Sequence, residues 1–106
     1  LYHDGYIEAR AVEQTDVFDA ATVFARSEGI LPAPESAHAL LGAIQEAIKC
    51  RETGEKKTII FGLTGTGYFD LSAYNNYNSG DMVDYIPTDE DLEKGFAGLP
   101  KVPEKA

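Results

Sequence analysis

Apolar residues recur at helical spacing in two long stretches of the chain and run together in a third. Val17, Phe18, Ala21, Phe24 and Ala25 share one face of a helix. Their spacing predicts a helix capped by Thr15 or Asp16, running to about Ser27 and stopped by Gly29. Ala37, Leu40, Leu41, Ile44 and Ile48 form a second stripe, which predicts a helix from Glu35 or Ser36 to Arg51. Thr53-Gly54-Glu55 is its turn. Between the two helices, Ile30-Leu31-Pro32-Ala33-Pro34 must be extended, because two prolines exclude a regular helix. Leu71, Tyr74 and Tyr77 predict the buried side of a third helix, about Asp70 to Ser79, ended by Gly80. Thr88-Asp89-Glu90-Asp91 fits a capping box for a short surface helix with Leu92 and Phe96 as sparse anchors. The end, Leu99 to Ala106, is expected to fray.

Two segments read as strands. Tyr6 to Val12 alternates, with Ile7, Ala9 and Ala11 against Glu8 and Arg10. Thr58 to Leu63 (TIIFGL) is apolar on both faces, as in the middle of a parallel sheet, and is entered through Lys56 and Lys57. The order strand, helix, helix, strand, helix, helix is an α/β pattern. Two strands do not make a sheet, however. Either chains pair with one another, or most of the sheet is missing.

Composition narrows the classes. The chain has 106 residues, 43% apolar and 25% charged, ordinary values for one folded domain. No apolar run is long enough to cross a membrane and no secretory leader is visible at the start. Leu1 in place of an initiator Met suggests processing, or a piece of something longer. The net charge is −9, so there is no cationic face for nucleic acid or an anionic membrane. Six of the acidic residues fall between Asp81 and Glu93, with no basic one, and read as a solvated surface tail over 81–106. The single cysteine, Cys50, makes no internal disulfide and fits a reducing, cytoplasmic compartment.

The chemistry concentrates in one loop. Gly62-Leu63-Thr64-Gly65-Thr66-Gly67 lies between the apolar strand and a helix, where open α/β sheets bind ligands. Glycines there allow close backbone approach to a ligand; the plainer reading is a turn that needs positive φ. The Walker pattern fails, because Tyr68-Phe69 follow where Lys and Ser/Thr are needed, and the dinucleotide pattern fails at Asp70. Glu35-Ser36-Ala37-His38 has the spacing of a di-iron helix, but a single copy makes no metal site. Glu35 and Ser36 more simply satisfy free N–H groups at a helix start. No Gly-x-Ser-x-Gly elbow or paired cysteine and histidine offers a nucleophile, and the acidic tail lacks the EF-hand pattern.

Three stretches together carry a resemblance. They are Phe24 to Ala39 (FARSEGILPAPESAHA), Gly54 to Gly67 (GEKKTIIFGLTGTG) and Tyr68 to Leu71 (YFDL). The combination resembles the C-terminal part of the tryptophan synthase β chain, in particular its second branch. The resemblance covers nearly the whole chain. It implies an incomplete three-layer parallel-sheet α/β fold, cut from a fold type II pyridoxal phosphate (PLP) enzyme, with about two strands and four helices. Such an enzyme eliminates water from serine and adds indole at the β-carbon. The match implies that Thr64 hydrogen-bonds the pyridine nitrogen of PLP, where the family usually has Ser. It further implies that Gly65 and Gly67 let the loop pass the ring, and that Glu35 and Ser36 line the cofactor pocket. The third loop position, often Arg or His in the family, is Thr66 here.

The resemblance also implies what is lacking. The lysine that carries the cofactor belongs to the family's N-terminal part, and none of Lys49, Lys56, Lys57, Lys94, Lys101 or Lys105 sits in its motif. No catalytic residue is therefore assigned. The isolated chain is expected to be inactive and to bind no PLP by itself. The implied partners are the rest of the β chain, further copies in a homo-oligomer, and a tryptophan synthase α subunit. Other readings are a stand-alone binding or assembly module, or a piece of a threonine synthase or serine/threonine dehydratase.

Overall fold

Two helices that match the two apolar stripes carry the fold. In the computed structural model, which describes residues 1–101 and 103, α1 spans Gln14–Glu28 and α2 spans Pro34–Thr53. A 3-10 turn at Gly67–Phe69 leads into α3, Leu71–Asn78, and α4 spans Asp89–Phe96. The chain divides into two compact units, Val12–Asp84 and the pair of segments Leu1–Ala11 and Tyr85 onward.

In the first unit, α1 and α2 pack face to face. Val17, Phe18, Ala20 and Ala21 of α1 and Ala37 and Leu41 of α2 form the core, joined by Tyr74 of α3. The small residues let the helices approach closely, while Phe18 fills the remaining space. Its ring lies edge-on to Tyr74 at 4.9 Å and stacks on Tyr77 at 5.8 Å. Both arrangements suit the ring quadrupoles.

The helix ends follow local chemistry. Gly29 (φ 71°) and Gly54 (φ 74°) end α1 and α2 in the left-handed conformation that glycine adopts without cost. Pro34 occupies the first turn of α2, where its missing N–H is harmless, so this helix begins just before the expected Glu35. Glu13 gives α1 no side-chain cap. The Asp84 carboxylate does so from far along the chain, accepting from the Thr15 N–H at 2.9 Å and the Thr15 hydroxyl at 2.5 Å. Gln14 Nε2 donates to the Val83 carbonyl beside it.

In the second unit, the capping box of α4 forms as expected: Thr88 and Asp91 exchange hydrogen bonds, and the Tyr85 hydroxyl joins Asp91 at 2.6 Å. Leu92 and Phe96 do not anchor this helix, since none of its side chains is buried. The expected fraying end lies partly outside the described residues.

Four helices are present, but no strand forms among the described residues. Residues 6–12 and the Thr58 to Leu63 run follow non-helical paths without ladder partners. Among the described residues the only bridge is an isolated antiparallel pair, Pro32 with Thr66. A strand exists only through a neighbour that takes up its N–H and C=O groups, and the sequence pattern records burial rather than the partner that provides it. Ile60 is accordingly 90% exposed, while Phe61 is partly buried, edge-on to Phe24 at 6.1 Å. Leu71 and Ile48, expected inside, are also exposed.

Candidate functional site

The Pro-rich link and the glycine loop meet at the start of α2. The Ala33 N–H donates to the Gly65 carbonyl at 3.0 Å, and the Gly67 N–H donates to the Leu31 carbonyl at 2.9 Å. Pro32 therefore faces Thr66 at the non-hydrogen-bonded position of the pair, where a residue without an N–H costs nothing. The Tyr74 hydroxyl donates to the Pro32 carbonyl at 2.5 Å and fixes the link from behind. Burial, followed by the nearby Asp70 charge, raises the pKa of this tyrosine.

The loop glycines serve close approach rather than positive φ. Neither Gly65 nor Gly67 is among the glycines with positive φ. A Cβ on Gly67 would stand 2.6 Å from the Pro32 carbonyl oxygen and 2.8 Å from Leu31 Cγ. One on Gly65 would stand 3.0 Å from the Ala33 Cβ. The loop is thus pressed against the Pro-rich link rather than merely turned.

Ser36 and Thr64 come together at this junction. The Thr64 N–H donates to Ser36 Oγ at 3.0 Å, and the two hydroxyls lie 3.0 Å apart. Ser36 is 3% exposed, whereas Thr64 and Gly65 are open to solvent. An open hollow of about 470 Å³ lies beside them, lined by Ile30, Leu31, Leu63, Thr64, Gly65 and Tyr68 among others, none of them charged. Thr66 caps the 3-10 turn, accepting weakly from the Tyr68 N–H at 3.4 Å. Glu35 is exposed on the first turn of α2 and is not part of the hydroxyl pair.

The Glu-x-x-His spacing gathers no ligand set. His38 Nδ1 lies 2.8 Å from the Pro34 carbonyl, and no group of three metal-ligating side chains occurs among the described residues. Lys57 pairs with Glu55 at 3.3 Å, which raises the lysine pKa through the hydrogen bond and the charge. None of the helices is long and apolar enough to cross a membrane among the described residues.

No family model matches the chain. It is similar to tryptophan synthase β chain 2 of Aquifex aeolicus, with 63% identity over 84 residues, 79% of this chain and 19% of the relative. The corresponding protein of Methanosarcina acetivorans is 53% identical over 83 residues, 78% of this chain and 19% of the relative. The tryptophan synthase β chain of Thermococcus gammatolerans is 47% identical over 87 residues, 82% of this chain and 20% of the relative.

The chain is a homologue of part of the tryptophan synthase β chain. It spans about a fifth of the length of the curated relatives it matches. Within the matched segment, the structure brings Ser36, Thr64, Gly65 and Gly67 to one junction and leaves Glu35 beside it. One contributor to the junction has no signal in the sequence: the helical pattern puts Tyr74 on a buried face, but nothing in it indicates a hydroxyl aimed at the Pro32 carbonyl.

Proposed function

We propose that this chain is the C-terminal part of a cytoplasmic tryptophan synthase β enzyme and forms one wall of its PLP site. The whole enzyme would convert L-serine and indole to L-tryptophan and water. The observation that carries this reading is the Thr64 hydroxyl, held at the mouth of an uncharged hollow by Ser36.

The donor set fits one edge of PLP. Thr64 would meet the ring nitrogen with a neutral hydroxyl and leave that nitrogen largely unprotonated. When bound, PLP supplies a moderate electron sink suited to eliminating the serine hydroxyl and adding a nucleophile at the β-carbon. Gly65 and Gly67 would keep the loop backbone close to the link, Thr64 would orient the ring, and Glu35 and Ser36 would line the pocket. No cation lines the hollow, so the groups that bind the cofactor's phosphate and the lysine that holds it covalently would come from the remaining polypeptide. In that setting Thr58 to Leu63 would become a central strand of a parallel three-layer α/β sheet, and residues 81–106 a surface tail.

Assaying the full-length gene product with serine and indole tests the proposal; tryptophan should form only when PLP is present. The 106-residue chain alone, given PLP and serine, should produce no change in the visible spectrum. Turnover by the short chain would overturn its assignment as a partial site. Full-length protein that binds PLP but uses another acceptor would overturn the substrate assignment.

A further inference from the structure

Proton accounting at the junction gives Ser36 a task of its own. A serine hydroxyl has one proton and two lone pairs. The Thr64 N–H occupies one lone pair of Ser36 Oγ, at 3.0 Å. The contact of 3.0 Å between the two hydroxyls can then run in either direction. If Thr64 donates, the Ser36 proton is left without an acceptor inside the protein, on a side chain only 3% exposed. If Ser36 donates, every buried group is satisfied and the leftover proton belongs to Thr64, which is open to solvent. A buried idle donor costs more than a net hydrogen bond contributes, so the second arrangement wins.

We infer that Ser36 is a positioning residue. It donates its proton to Thr64 Oγ1 and thereby fixes the Thr64 hydroxyl as an outward donor to an uncharged acceptor atom. The relay runs from the Thr64 N–H to Ser36 Oγ, from the Ser36 O–H to Thr64 Oγ1, and from the Thr64 O–H to the ligand. The hollow's lining carries no charge. It therefore suits a neutral aromatic nitrogen better than a carboxylate or phosphate. This rests on the proposed reading of the loop as a PLP wall, where that acceptor is the ring nitrogen.

Two measurements separate the relay from the ligand. In the 106-residue chain, amide exchange by NMR should quicken at Thr64 by about tenfold or more in Ser36→Ala, while Ser36→Thr, which keeps the hydroxyl, stays near wild type. In the full-length protein, S36A should weaken binding of PLP by about tenfold. Its affinity for an analogue with the ring nitrogen replaced by C–H should change by less than about threefold. Equal losses for both cofactors, or unchanged Thr64 protection in S36A, would overturn the inference. If wild-type full-length protein binds no PLP, the reading of the site fails, and the exchange data still decide the relay. Should the variants not fold, the wild-type spectrum decides. A slowly exchanging Ser36 hydroxyl proton near the Thr64 methyl supports the relay, and a protected Thr64 hydroxyl proton reverses its direction and overturns it.

Discussion

At the scale of single residues, the site depends on how tightly the loop is pressed against the Pro-rich link. Gly67→Ala forces a methyl group into the 2.6 Å gap to the Pro32 carbonyl, which is backbone and cannot swing aside. It should cost about 1–3 kcal/mol in urea unfolding, the usual range for overpacking. Gly65→Ala meets only the Ala33 Cβ at 3.0 Å and should cost less. Tyr74→Phe removes the donor to Pro32 while keeping the ring that packs on Phe18, and should cost about 1–2 kcal/mol. The same variant has a pH signature. Burial raises the Tyr74 pKa in the folded chain. A raised value means that its contribution is complete below the unfolded tyrosine pKa of about 10, and is lost as pH rises through the folded value. Alkaline destabilisation should therefore be smaller in Y74F than in wild type. Tyr77, raised chiefly by its hydrogen bond to Asp19, keeps a part of the effect in both.

At the scale of elements, the helices were readable because each carries its own instructions. The stripe Val17, Phe18, Ala21 states which face is buried, and Gly29 and Gly54 state where the helices end. The capping box at Thr88 was legible in four letters. Phe18→Ala should cost about 3–5 kcal/mol, enough to threaten the packing of α1 on α2, with loss of near-UV dichroism as the readout. Elements stabilised from a distance were not readable in this way. The α1 cap comes from Asp84, and its carboxyl is held below the usual range by the Thr15 hydroxyl first and the Thr15 N–H next. A lowered value means the contribution is present above the unfolded carboxylate pKa of about 3.9, and is lost as pH falls through the folded value. Asp84→Asn should flatten the acid limb of stability, and loss of exchange protection should be confined to the first turn of α1. An unchanged acid limb would show that the cap contributes nothing in solution. The site itself was half legible. Thr64, Gly65 and Gly67 stand out as a loop motif, and of the two readings open for the glycines, close approach and positive φ, the structure excludes the second; that Gly67 approaches Pro32 is a tertiary fact with no local signal.

At the scale of the whole chain, the strand that the sequence advertises is the feature the fold does not use. Thr58 to Leu63 is apolar and β-branched, yet Ile60 is 90% exposed, Leu63 39% and Ile59 37%, and its backbone has no ladder partner. Patterning of this kind is selected where a strand lies between neighbours. The chain spans only about a fifth of the length of the curated relatives it matches. Without such neighbours, unpaired N–H and C=O groups on an apolar segment invite pairing with the same segment of another copy. The 106-residue chain should therefore self-associate in sedimentation at micromolar concentration, although its net charge of −9 opposes close approach. Ile60→Lys adds a charge to the edge and forfeits about 1.5–3 kcal/mol of the burial that a pair of strands would gain, so it should shift the chain toward monomer. Salt separates the two forces at work. Screening the mutual repulsion should strengthen association of the wild type while leaving the I60K defect in place. A wild-type chain that stays monomeric at high salt would mean that Thr58 to Leu63 is protected locally, and that its apolar pattern does not make it an open edge.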